Sequence, residues 1–264
     1  MIKADCHIHT DYSGDAQSSM EEMIVQAAKL GLQVIYLTDH KDYTPVFEQI
    51  NFDNYQKEFE KLRRKYKDQI EVRLGIEIGV APNLASEIKK LTAAHPFDFV
   101  IGSVHELRGE DMYFGNSFGD SPKDEMYTEY LQCIYESVCN IDEICVIGHF
   151  DYISRYGPYE DPALKYEDFS EHIDLILQEL IIRGKGLEVN TSGFRYGIAN
   201  VYPDIQILKR YKQLGGEIIT IGSDAHCAEN IALNFKEAEE IVRQAGFEYL
   251  TLFKELKPEF MKFS

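Results

Sequence analysis

Residues 2–9 are Ile-Lys-Ala-Asp-Cys-His-Ile-His, a short strand-like run that ends in two histidines. Side chains alternate between the two faces of a β-strand, so His7 and His9 point to the same face. Short apolar runs that end in a histidine or a carboxylate recur along the whole chain. The opening run therefore predicts a fold in which the ends of several strands meet around one space.

The rest of the chain alternates between apolar runs and amphipathic segments. The apolar runs predict strands at residues 2–8, 33–38, 71–78, 98–103, 144–148, 186–190 and 217–222. The amphipathic segments predict helices at residues 19–30, 54–67, 85–94, 123–139, 166–183, 205–214 and 230–245. Gly31, Gly184, Gly215 and Gly246 stand just beyond four of these helices, where helix stop signals are common. Seven strands, each followed by a helix, predict right-handed crossovers and a closed or nearly closed parallel α/β barrel.

Length, composition and charge narrow the class of protein. Barrels of this kind reach ~250 residues without splitting, and we find no linker, low-complexity tract or repeat of fixed period, so we expect one domain over residues 1–264. The formal net charge is −18. Such an acidic surface repels phosphates, which argues against nucleic acid as a partner.

The absence of targeting signals and the pattern of cysteines indicate the cellular compartment of the protein. No apolar run approaches the ~20 residues that a membrane span needs, and the N-terminus lacks the pattern of a signal peptide. The five cysteines form no Cys-x-x-Cys pair, which favours reduced, packing roles. We therefore expect a cytoplasmic protein that does not bind membranes.

The residues at the strand ends predict a metal site. The segments are Asp5-Cys6-His7-Ile8-His9, Leu37-Thr38-Asp39-His40, Gly75-Ile76-Glu77, Gly102-Ser103-Val104-His105, Val146-Ile147-Gly148-His149 and Gly222-Ser223-Asp224-Ala225-His226. Imidazole combined with carboxylate suits zinc, iron or manganese. A lone histidine is more often a packing or surface residue, and His95 and His172 fit that interpretation. The other six would need independent coincidences at the same end of different strands, which is the end where such barrels build active sites.

Two carboxylates differ in how strongly they support this interpretation. Glu77 follows an apolar run, and a buried carboxylate without a cation would be costly. Asp15 has an alternative interpretation, because Tyr12-Ser13-Gly14-Asp15 could form a simple turn, and only its nearness to His7 and His9 in sequence favours ligation.

Two arginines follow strand ends on the same face. Arg155 comes after His149, and Arg195 comes after the sixth predicted strand. The planar fork of a guanidinium suits phosphate oxygens, so both are candidate phosphate ligands. An exposed loop arginine without a role is the alternative for each. No nucleotide-binding loop is present. Residues 115–119 have the letters Gly-x-Ser-x-Gly but do not directly follow a predicted strand, so they do not form a nucleophile elbow.

In order along nearly the whole chain, these motifs resemble those of the polymerase and histidinol phosphatase (PHP) superfamily. Residues 5–16, 148–156 and 188–195 match what is expected of its histidinol-phosphatase branch. The resemblance implies a distorted seven-stranded (β/α)7 barrel that holds two to three divalent ions, Zn, Fe or Mn. It implies ligand sets of His7, His9, Glu77 and Asp224 for one ion, Glu77, His105 and His149 for the second, and Asp15, His40 and His226 for the third.

The resemblance also implies a reaction. It is the hydrolysis of L-histidinol phosphate to L-histidinol and phosphate in histidine biosynthesis, by a metal-activated hydroxide that attacks phosphorus. The first alternative is a PHP phosphoesterase that acts on nucleotides or nucleic acid, against which the acidic balance weighs. The second is a non-catalytic metal-binding module of the same fold, which loss of a ligand would mark, and no motif position is substituted.

Overall fold

Parallel strands form the centre of the computed structural model, which describes residues 2–43, 50–198 and 200–263. In chain order the central strands are β1 (Ala4–Ile8), β2 (Val34–Leu37), β3 (Glu71–Gly79), β4 (Phe99–Ser103), β5 (Val146–Ile147), β6 (Gly186–Asn190) and β7 (Ile219–Gly222). Each strand pairs in parallel with the next one in sequence. All seven predicted strands are confirmed, with ends that differ by one or two residues.

The first and last strands come together and nearly close the barrel. Ile8 and Ala225 form an isolated parallel bridge. The backbone amide of Asp224 donates to the carbonyl of His7 over 2.8 Å, and the amide of His9 donates to the carbonyl of Ala225 over 2.9 Å. The seam therefore joins two segments that carry predicted metal ligands, and the predicted barrel is confirmed.

Within the described residues, seven α-helices follow the strands. They are α1 (Met20–Lys29), α2 (Phe52–Tyr66), α3 (Ala85–Ala94), α4 (Lys123–Asn140), α5 (Ser170–Ile182), α6 (Ile205–Gln213) and α7 (Phe235–Gln244). Two of them, α5 and α7, begin four and five residues later than the predicted starts at residues 166 and 230. Residues Tyr166–Asp168 form a separate 3₁₀ turn before α5. Asn234 has a left-handed backbone with a φ of 61°, so the chain cannot run as one helix into α7.

A hairpin after the last helix is an element that the sequence prediction omitted. Its strands are Tyr249–Lys254 and Lys257–Lys262. It lies at the amino ends of the barrel strands, where Arg73 donates to the Phe253 carbonyl over 2.8 Å and to the Tyr36 hydroxyl over 3.0 Å. The hairpin therefore covers the end of the barrel opposite to the predicted ligands.

The buried apolar side chains of the described residues form one cluster around the barrel and its helices. Within the described segments, none of the helices combines the length and apolarity that crossing a bilayer requires. Two-residue strands also occur: His40–Lys41 pairs with β3, and Glu106–Leu107 pairs with Glu110–Asp111 in a small hairpin after β4.

Candidate metal centre

The carboxyl ends of the barrel strands bring the predicted ligands together. The described donor groups that could share an ion are His9, His40 and His226; His7, His9 and Asp224; His40, Asp42 and His105; and Glu77, His105 and His149. Eight of the nine predicted ligands belong to these groups. The ninth, Asp15, lies beside them, with Oδ2 3.1 Å from His226 Nε2 and 3.7 Å from His40 Nε2.

Glu77 stands at the centre of these groups and is almost wholly buried. Its Oε1 lies 2.8 Å from His149 Nε2 and 3.3 Å from His105 Nε2. Its Oε2 lies 2.9 Å from His40 Nδ1 and 3.2 Å from His7 Nε2. The two oxygens of one carboxylate thus face two different pairs of imidazoles.

The contacts in this cluster fit bound cations better than hydrogen bonds. Glu77 Oε2 and His40 Nδ1 are buried and make no hydrogen bond, although they lie close together. His7 Nε2 and His9 Nε2 face each other over 2.9 Å, and Asp224 Oδ1 lies 3.4 Å from His9 Nε2. Lone pairs that converge without donors between them suit a positive ion, and imidazole with carboxylate suits zinc or a similar transition metal.

The electrostatics favour the ligating protonation state at Glu77 and His9, whereas neighbouring carboxylates outweigh burial and raise the pKa of His7 and His40. Burial alone would raise the pKa of Glu77, but the charges of His7 and His40 outweigh burial and hold the pKa well below its usual value. Burial, followed by the neighbouring His40 and His226, lowers the pKa of His9 to about 3. At neutral pH Glu77 is therefore a carboxylate and His9 a neutral imidazole, which is the form that binds metals.

Gly148 and Gly222 precede two candidate ligands, at positions where a larger residue would collide with the cluster. A Cβ atom at Gly148 would collide with Ser103 Oγ, which donates to Glu77 Oε1 over 2.6 Å. A Cβ atom at Gly222 would collide with Glu188 Oε1 and with the His7 side chain. The backbone must therefore come close to the cluster at these positions, and only glycine leaves room for it.

Two carboxylates of the cluster were missed from the sequence. Glu188 Oε1 lies 2.6 Å from His7 Nδ1, and the carboxylate is wholly buried. Asp42 Oδ1 lies 2.9 Å from His105 Nδ1. A signal existed for both, since Glu188 stands inside an apolar strand, as Glu77 does, and Asp42 follows His40 at the two-residue spacing of one strand face.

A cavity of about 390 Å³ opens over the cluster. Arg155 lines it, and its guanidinium carbon lies 3.0 Å from the centre of the Tyr196 ring. Arg195 lies at the edge of the cluster, where its Nη2 donates to the Asp224 carbonyl over 2.7 Å while its Nη1 is buried without a hydrogen bond. Both arginines are near the ligands, and Arg155 is the one that borders the open space.

The two histidines excluded from the metal site belong to none of the described donor groups. The ring of His95 stacks on Phe52, with 4.5 Å between ring centres. His172 lies in α5, on the outside of the barrel. Packing therefore accounts for His95.

Fold and cluster together define an α/β barrel with a candidate metal centre, and comparison with known proteins identifies its family. The PHP domain family matches residues 5–192. The histidinol-phosphatase of Lactococcus lactis is 35% identical over 97% of this chain and 96% of its own length. A Clostridium acetobutylicum protein named "Probable histidinol-phosphatase" is 34% identical over 96% and 97%. The chain belongs to the PHP family, in its histidinol-phosphatase branch.

A solved structure agrees with this placement. The crystal structure of histidinol phosphate phosphatase from Lactococcus lactis, complexed with zinc, L-histidinol and phosphate, superimposes with a TM-score of 0.89. The two chains are 32% identical, and the match covers 97% of this chain and 98% of the other.

Proposed function

We propose that this protein hydrolyses L-histidinol phosphate to L-histidinol and phosphate, a step of histidine biosynthesis. The observation that carries the proposal is the position of Arg155, which borders the same cavity as the metal-donor cluster. A phosphate ester in that cavity would meet a guanidinium on one side and the donor cluster on the other. The relative with 35% identity supports the choice of substrate.

We assign the cofactors as two to three divalent ions, Zn, Fe or Mn. The assignment gives His7, His9, Glu77 and Asp224 to the first ion, Glu77, His105 and His149 to the second, and Asp15, His40 and His226 to the third. The separate environments of the two Glu77 oxygens support a bridging role. Such ions, when bound, lower the pKa of a coordinated water and offset the charge of the phosphoryl group.

The protein's own residues supply binding and orientation. Arg155 and Arg195 would bind the phosphoryl oxygens with charge-assisted hydrogen bonds, which strengthen as charge develops on those oxygens. Glu188 holds the His7 ring and Asp42 holds the His105 ring, so both imidazoles keep Nε2 turned toward Glu77. No side chain is assigned as a nucleophile.

We propose residues 1–264 as one phosphatase domain that works in the cytoplasm on a small-molecule ester. The five cysteines are free thiols, which supports a reducing compartment. The net charge of −18 disfavours a nucleic-acid substrate.

The experiment that tests the function is a steady-state comparison on metal-loaded protein. Histidinol phosphate, AMP and 4-nitrophenyl phosphate would be compared by kcat/KM. We expect histidinol phosphate to be preferred by a wide margin. A preference for AMP would replace the proposal with a nucleotide phosphoesterase.

A further inference from the structure

The cavity over the metal cluster has a second wall that the phosphate does not need. Tyr152, Tyr156 and Tyr196 surround the Arg155 guanidinium, with ring centres 5.8, 5.1 and 3.0 Å from its central carbon. Beyond them Tyr113 is 58% exposed, and its ring centre lies 5.9 Å from that of Tyr156. This wall offers aromatic faces to whatever alcohol carries the phosphate.

One carboxylate on this wall takes no part in the metal cluster. Among the described residues that border the cavity, five are carboxylates: Asp15, Asp42, Glu77, Asp111 and Asp224. Four of them contact imidazoles of the metal cluster. Asp111 does not take part in the described donor groups, so its charge is available to a ligand.

The backbone fixes Asp111 next to a metal-binding residue. Asp111 pairs with Glu106 in the small hairpin that follows β4. The amide of the next residue, Met112, donates to the carbonyl of His105 over 3.0 Å. The hairpin thus returns to the metal cluster and holds the Asp111 carboxylate at its edge.

We propose that Asp111 binds the protonated amine of the substrate and thereby selects phosphates of cationic amino alcohols. This inference rests on the proposed function. With the phosphoryl group between Arg155 and the donor cluster, the rest of the substrate must extend along the tyrosine wall. A cation there needs a carboxylate partner, and Asp111 is the bordering carboxylate that lies outside the metal cluster.

A purely structural role for Asp111 makes a different prediction. Asp111 Oδ1 accepts a hydrogen bond from the Tyr113 amide over 2.8 Å and so caps a short 3₁₀ turn. Asparagine keeps that acceptor and removes only the charge. Asp111→Asn therefore separates substrate recognition from capping, and Glu110→Gln, on the adjacent and exposed position, is the matched control.

The test compares kcat and KM of the metal-loaded parent, Asp111→Asn and Glu110→Gln on histidinol phosphate and on 4-nitrophenyl phosphate, which has no amine. We expect Asp111→Asn to lower kcat/KM for histidinol phosphate about 10- to 100-fold, the usual effect of losing a hydrogen bond to a charged group. Most of the loss should be in KM. The aryl phosphate should change less than twofold, and Glu110→Gln should change neither substrate. Calorimetry should show the same loss of affinity for L-histidinol.

Two outcomes would overturn the inference. One is a change of less than twofold for histidinol phosphate in Asp111→Asn, and the other is an equal loss for both substrates. Failure of the proposed function is separate, because the parent enzyme itself would then not hydrolyse histidinol phosphate. In that case the same comparison with O-phosphoethanolamine, which also carries an ammonium group, decides the role of Asp111.

Discussion

Glu188 Oε1 lies 2.6 Å from Nδ1 of His7, and both side chains are wholly buried. A carboxylate only accepts hydrogen bonds, so the proton of His7 must be on Nδ1. In the neutral imidazole Nε2 then carries the lone pair and can bind an ion on the side of Glu77, which lies 3.2 Å away. A carboxylate that orients a ligating imidazole in this way fixes the tautomer and raises the basicity of the ligand.

Glu188→Gln should weaken metal binding although Glu188 is not itself a proposed ligand. The carboxylate also accepts from the His149 amide over 2.9 Å and from Asn190 Nδ2 over 3.0 Å. With His7 Nδ1, the carboxylate therefore faces three donors. The NH2 group of a glutamine would face one of them, so that two donors would oppose each other. We expect a loss of about 10- to 100-fold in affinity for zinc, measured by competition with a chelator. Glu171→Gln, on exposed α5, is the control, and unchanged affinity in Glu188→Gln would contradict this role.

The sequence was sufficient to predict the barrel because strands buried on both faces leave a strong apolar pattern. The candidate ligands other than Asp15 could be proposed from the sequence because each one stands at or just after a strand end, behind a buried run. Glu77 was proposed for this reason, as were His105 and His149. A spacing of two residues on one strand is enough to place His7 beside His9.

Contacts between distant segments were not predictable in the same way. Glu188 and His7 are 181 residues apart, and their pairing depends on how the barrel closes. Asp42 follows His40 by two residues, but its contact with His105 joins positions 63 residues apart, which local spacing does not show. The C-terminal hairpin was missed because half-exposed strands give a weaker pattern than the buried barrel strands.

Removal of the metals should abolish phosphatase activity. We expect purified protein to carry more than one equivalent of Zn, Fe or Mn, because the donors of several strand ends converge in separate groups. Treatment with a chelator should remove the activity, and the divalent metal should restore it. Elemental analysis combined with activity measurements checks this. A metal-free protein with full activity would refute the proposed metal centre.

Substitutions of Glu77 and His40 should differ in how many ions they release. Glu77 has each oxygen near a different pair of imidazoles, so Glu77→Gln should disturb two sites at once. His40→Ala should empty mainly the third. Metal counts per chain distinguish the two variants, and circular dichroism should show an intact barrel in both. Full occupancy in Glu77→Gln, with complete loss in His40→Ala, would show that the ligands are wrongly divided among the sites.

Arg73 should affect stability without affecting catalysis. Its guanidinium joins β3 to the C-terminal hairpin through the Phe253 carbonyl and to β2 through the Tyr36 hydroxyl, at the end of the barrel away from the cavity. Arg73→Met would leave these buried groups with fewer partners, at a cost of about 1–3 kcal/mol in the free energy of unfolding. Urea denaturation measures this cost. Arg63→Met, at an exposed position of α2, is the control and should cost less than about 1 kcal/mol. A large fall in kcat/KM for Arg73→Met would contradict a purely structural role of Arg73.

Arg155 and Arg195 should act on the phosphoryl group that all substrates share. A guanidinium makes two parallel charge-assisted bonds to phosphate oxygens, whereas lysine offers a point charge. Lysine at either position should therefore lower kcat/KM, and alanine should lower it further, by about 2–4 kcal/mol in transition-state stabilisation, as with the loss of one oxyanion donor. Histidinol phosphate and 4-nitrophenyl phosphate should lose activity to a similar extent.

The structure makes the two arginines unequal in one respect. Arg195 donates to the carbonyl of Asp224, a proposed ligand, whereas Arg155 packs on Tyr196 in the open cavity. Metal content, measured beside kcat/KM, should therefore stay at the parental level in Arg155→Ala, which makes this variant the cleaner probe of phosphate binding. If alanine at both positions left kcat/KM for both substrates within about twofold, roughly 0.4 kcal/mol, neither arginine would bind the phosphate.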